Sequence, residues 1–171
     1  MAILNVGIGF MMLIAGRPVY AVFVGGMGYL LANFLIGELG FIPSNWNSIT
    51  FPLLAAFIGA LAAFIIKHWI VRLTCFLAGI YLVYDLPATL DAAGKWDSWI
   101  LVLAVGLLCF ILSIIWFDYA VMIISTLVAA TMIIKSIHFG ILDIGAMFFI
   151  LVILGVLTQY LIWQYWQTSP E

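Results

Sequence analysis

The sequence predicts an all-α fold, a polytopic membrane helix bundle of about seven transmembrane helices arranged as three hairpins and a terminal helix. Three observations predict it. Of 171 residues, 68% are hydrophobic and only 7% charged, whereas a soluble domain is about half apolar and about a quarter charged. The apolar residues fall into seven runs near the roughly 17–25 residues that cross about 30 Å of hydrocarbon at about 1.5 Å per residue. Those runs are continuous rather than alternating, which suits helices and not the strands of a membrane barrel.

In order, the runs cover residues 2–16, 18–37, 51–66, 69–86, 98–116, 119–136 and 144–166. Residues 1–16 carry no charged side chain, so the basic start of a signal peptide is missing and the first run is expected to be a retained helix. Gly16-Arg17-Pro18, Lys67-His68 and Trp116-Phe117-Asp118 are tight breaks that predict antiparallel hairpins. The longer connections are 38–50, 87–97 and 137–143, the first with Pro43, Ser44, Asn45 and Asn47 as turn residues. Runs 2–16 and 51–66 are short. They are read as full spans, with a re-entrant segment as the alternative. Residues 1–171 read as a single transmembrane domain.

A weak internal repeat accompanies the hairpins. Gly9 lies eight residues before Arg17, and Gly59 eight before Lys67; a further shift aligns Gly59 with Gly106 and Trp69 with Trp116. On the second helix of each hairpin, Gly28, Ala78 and Ser125 then coincide as small residues. Ala55, Gly59 and Ala63 form a small-residue stripe, as do Gly25, Gly28 and Ala32. Small residues let backbones approach where association in lipid depends on close packing. The stripes serve either packing within the bundle or a homo-oligomer face.

Loop Lys and Arg stay on the cytoplasmic side of a membrane. The tight-turn end holds Arg17, Lys67 and Arg72; the long-connection end holds Lys95 and Lys135. The resulting expectation is an N-terminus outside and a cytoplasmic C-terminus, in the cell membrane. Trp46, Trp96 and Trp99 flank one end, with Trp69, Trp116, Trp163, Tyr165 and Trp166 at the other, as interfacial aromatics do.

Several functions are excluded by what the residues lack. A net charge of −2 leaves no basic footprint for nucleic acid. Cys75 and Cys109 sit in apolar runs without metal-ligand spacing and read as small apolar residues. His68 and His138 fall at opposite ends, so they do not ligate one haem or metal. No nucleophile with its base and no carboxylate pair shares a depth, so the chain is not read as an enzyme and no cofactor is expected.

Ionisable residues at membrane depth cost several kcal/mol, so one that is present usually faces a partner or water. Asp85 stands out, two residues before Pro87. If the helix continues, Pro87 withholds the N–H that would serve the Val83 carbonyl, and the freed carbonyl joins Asp85 in a polar pocket. If it ends there, Asp85 is interfacial. Asn33 and Lys135 lie near the same end; they either converge with Asp85 on a water-filled path or meet headgroups separately. At the other end, Arg72 and Asp118 form a candidate ion pair, with snorkelling of Arg72 to headgroups as the alternative.

Three stretches carry a likeness to a known family. They are Phe57-Ile58-Gly59-Ala60 through Lys67 to Phe76-Leu77-Ala78-Gly79, then Trp99 through Gly106-Leu107-Leu108-Cys109 and Trp116 to Ser125–Ala130, and Leu154-Gly155-Val156-Leu157-Thr158-Gln159. In these the chain resembles the transmembrane-protein-198-like family, a seven-span membrane domain of unknown function. The resemblance implies a hairpin-built bundle without a catalytic signature, and a role in assembling signalling components at the membrane, as in animal members. Two functions are therefore expected in competition. One is a permeation or transport unit for an ion or small solute, with Asp85, Asn33 and Lys135 along its path. The other is a non-conducting scaffold whose partners, beyond the lipid bilayer, the sequence does not name.

Overall fold

The structure, a computed structural model, describes residues 2–39, 49–89, 99–137 and 144–168. These form seven α-helices and no strand. They are α1 (Ala2–Ala15), α2 (Tyr20–Leu39), α3 (Thr50–Ile65), α4 (Lys67–Thr89), α5 (Trp99–Ile115), α6 (Phe117–Ser136) and α7 (Ile144–Thr168). Each expected run is a helix, with ends displaced by up to three residues. Three are long and apolar enough to cross a membrane: α2 over Tyr20–Gly37, α6, and α7. At 14 residues α1 is only about 21 Å long, and α3 and α5 are also shorter apolar helices.

The helices form two shells. Within an apolar 18-residue window of each helix, 72% of the residues are buried in α6 but only 17% in α7, which makes α6 the central helix and α7 a peripheral one. Val121, Ser125, Thr126, Val128 and Ala129 of α6 are fully enclosed, as are Phe23 of α2 and Val71, Cys75 and Ala78 of α4. The outward faces of α3, α5 and α7 are apolar instead of polar, exposing Phe57, Phe64, Ile65, Ile100, Ile114, Phe149 and Leu161. That inversion is compatible with a membrane protein, because lipid tails are as apolar as the side chains they meet.

The closest partners are not those the tight turns suggest. α2 packs most extensively on α3, α4 on α5, and α6 on α1, while the helices within each tight hairpin touch less. Small residues are the cause. A Cβ on Gly28 would lie 2.7 Å from the Ala55 carbonyl oxygen across the α2–α3 seam. At the α4–α5 seam, a Cβ on Gly106 would sit 3.1 Å from both Ile80 and Phe76; at the α6–α1 seam, one on Gly9 would be 3.2 Å from the Ala129 carbonyl oxygen. A tight turn makes helices neighbours in sequence, but backbone approach decides which neighbours become intimate.

Candidate functional site

Where α2, α4 and α6 reach the long-connection end, they bound a cavity of about 740 Å³. Asn33 comes to it from α2, Asp85 from α4, and Lys135 from the last turn of α6. Lys135 Nζ donates to Asp85 Oδ1 at 2.6 Å, and the Tyr81 hydroxyl donates to Oδ2 at 2.5 Å. Both carboxylate oxygens are therefore held, one by a neighbour on the same helix and one by a different helix. The two partners differ in access: the Asp85 side chain is 15% exposed and that of Lys135 60%. The carboxylate belongs to the wall, and the lysine is an arm reaching it from outside.

α4 runs on through Pro87 to Thr89, so the helix does not stop beside Asp85. The Val83 carbonyl accordingly has no N–H from Pro87. Asn33 Nδ2 donates to the Tyr29 carbonyl one turn back, and the Tyr29 hydroxyl donates to Asn5 Oδ1 of α1 at 2.6 Å. The deeper lining is apolar, from Leu30, Leu77, Ile80 and Met132. Along one side, the Phe34 and Tyr84 rings lie 6.5 Å apart between centroids, and Tyr84 meets Trp99 edge-on at 6.5 Å.

The other end of the bundle corrects one expectation. Asp118 does not meet Arg72. Its Oδ1 lies 3.3 Å from Arg17 Nη2 and accepts from the Tyr20 hydroxyl at 3.0 Å. The reason is the seam between α6 and α1, which turns the start of α6 toward the Arg17 turn. Arg72 follows core-facing Val71 by one residue, about 100° further around α4; its guanidinium lies 5.8 Å from the Trp69 ring centre, and its Nε has no hydrogen-bond partner.

Arg17 is only 6% exposed and stacks over Trp163 at 4.0 Å. Its backbone N–H donates to Gln159 Oε1 at 3.1 Å, while Gln159 Nε2 donates to the Met12 and Leu13 carbonyls and to Ser125 Oγ. A helix end leaves carbonyls without intrahelical donors; here a fully buried glutamine from α7 serves the Leu13 carbonyl and adds a second donor to that of Met12, which already accepts the Gly16 N–H at 3.0 Å. Sequence reading missed this node. Its signal was the amide of Gln159 far from either end of an apolar helix. Tyr81 was also missed, although its spacing of four from Asp85 puts both on one helix face.

Compared with protein-family models, curated proteins and solved structures, the chain matches none. The site is read from its own chemistry. Among the described residues, no group of three or more His, Cys, Asp and Glu side chains is placed to hold a metal ion. His68 stacks near Phe117; Lys95, His138 and Asp143 lie outside the described residues.

Proposed function

We propose that this chain is a seven-span membrane permeation or transport unit for an ion or small solute, with the cavity at Asp85 as its binding vestibule. The observation that carries the reading is the convergence of Asp85, Lys135 and Asn33, from three helices, on one cavity. Polar groups at membrane depth usually face a partner or water; here all three line a space, and Asp85 and Lys135 also pair with each other. In this reading all seven helices span, including the short α1 and α3. The N-terminus is outside the cell membrane, and the vestibule faces outward. Gly9, Gly59 and Gly106, each against the preceding even-numbered helix or, for Gly9, against α6, support an internal three-hairpin repeat. Many transporters are built from such repeats.

The cavity is lined on its deep side by Leu30, Leu77 and Met132, and beyond them Phe23, Met27, Val71 and Val121 are enclosed. Conduction therefore requires rearrangement, as in alternating access, instead of a standing pore. That sealed half is also what favours the second reading, a non-conducting scaffold of the kind the resemblance implies.

The test is flux across liposomes containing the purified protein, for inorganic cations and small organic solutes, with wild type and Asp85→Asn. A solute that crosses with wild type and at least tenfold more slowly with the variant supports transport. No solute crossing above empty liposomes leaves the scaffold. Orientation is read separately, from Ser136→Cys and His68→Cys in cells. Cys75 and Cys109 are buried, so an impermeant maleimide added outside should label only Cys introduced at position 136.

A further inference from the structure

The chemistry of the vestibule defines a class of ligand. Its fixed charge is the Asp85 carboxylate, backed by the Tyr81 hydroxyl on Oδ2. The opposite charge is mobile, since the Lys135 side chain is 60% exposed on a flexible stem. The rings of Phe34, Tyr84 and Trp99 stay accessible, at 47%, 46% and 73% exposure, and aromatic faces attract cations and not anions. Three helices, α2, α4 and α6, bring their C-terminal ends to this cavity, and C-terminal ends carry partial negative charge. The volume of about 740 Å³ lies within the roughly 300–1,000 Å³ of small-molecule sites, which are mostly apolar with a few placed polar groups.

We infer that the cavity binds an organic monocation, an ammonium group on an apolar or aromatic body, and that Lys135 is a tethered stand-in for that ammonium on Asp85. The inference rests on reading the cavity as a binding vestibule and deepens it. On binding, the ligand's ammonium takes the place of Lys135 Nζ at Oδ1, the lysine swings to water, and the apolar body fills the space beside Leu30, Leu77 and Met132. An anion would find one exposed lysine and a wall of carboxylate, ring faces and helix C-termini. The ammonium has two sources, a water-soluble amine or the headgroup of a lipid.

The experiment is calorimetric titration of the full chain in maltoside micelles with three probes of one shape: 2-phenylethylammonium, 2-phenylethanol and phenylacetate. The expected result is binding of the ammonium at least about tenfold tighter than either isostere, the scale of one charge-assisted hydrogen bond. Asp85→Asn should weaken the ammonium by about tenfold or more, and Lys135→Met should tighten it by removing the competitor. Phenylacetate binding best, Lys135→Met abolishing binding, unchanged affinity in Asp85→Asn, or no binding of any probe would each overturn the inference. The wild-type ranking needs no variant to fold. Adding lysophosphatidylethanolamine, whose headgroup carries a primary ammonium, separates the sources: displacement of the amine assigns the headgroup, and lack of displacement assigns the soluble amine, the cation class standing in both. Ammonium binding without any flux would remove the transport reading and leave this site. Flux of an inorganic ion without ammonium binding would do the reverse.

Discussion

At the tight-turn end, the Gln159 amide is fully enclosed and engaged at both its nitrogen and its oxygen. At the long-connection end, the Asp85–Lys135 pair is also engaged on both sides, but it borders about 740 Å³ of space. Both regions place polar groups inside an apolar bundle. They differ in what surrounds the hydrogen bonds. A buried polar group without a partner costs its full desolvation, so a dry node must be complete. A pair beside a cavity can exchange one partner for another, because water or a ligand can stand in. The first arrangement holds a fold together; the second is suited to binding.

That contrast predicts a graded series. The largest effect should come from Gln159→Leu, which keeps the approximate volume but removes the donor to the Met12 and Leu13 carbonyls and the acceptor for Arg17 N–H. The Met12 carbonyl keeps the Gly16 N–H, but the Leu13 carbonyl and the Arg17 N–H lose their partner; at about 1–3 kcal/mol for each, the thermal unfolding temperature in detergent should fall by far more than for any change at the cavity. A melting temperature no lower than that of Asp85→Asn would erase the distinction between the two ends. Gly16→Ala comes next. Its Cβ would lie 2.5 Å from both the Met12 carbonyl oxygen and Ser125 Oγ, and overpacking of this kind costs about 1–3 kcal/mol.

Asp118→Asn should cost less, about 0–1 kcal/mol, because the carboxylate is 46% exposed and exposed ion pairs contribute little. Arg17 keeps its stack over Trp163, so Arg17→Met in the same unfolding assay should be the more damaging of that pair. Smallest of all is Lys135→Met, expected within about 1 kcal/mol of wild type since the lysine is mostly solvated. A large loss of stability there would turn the Asp85–Lys135 pair into a second structural node and remove its claim as a vestibule.

The helices themselves were legible in the apolar runs, and the ends α2, α4 and α6 turn toward one another were legible as a cluster of polar residues near one end of the apolar runs. Asp85, Asn33 and Lys135 were singled out from that cluster, and they line the same cavity. The pairing of Asp118 was not legible. One sequence places Arg17 and Arg72 equally at the tight-turn end, and only the docking of α6 on α1 puts one within 3.3 Å and turns the other away. Gln159 was overlooked for a related reason. Its partners are backbone carbonyls of α1 more than 140 residues away, and backbone carries no residue identity to be matched.

By itself, the sequence determined that this protein is helical, that its surface is apolar, and roughly where each helix begins and ends. These follow from local quantities, namely hydrophobic run length, breaks at charged or helix-breaking residues, and the absence of strand alternation. Tertiary structure decided which helices became intimate, which cation took Asp118, and whether the polar residues enclosed space or filled it. Those outcomes depend on how closely backbones approach at Gly9, Gly28 and Gly106, a property of two surfaces meeting that no single segment contains.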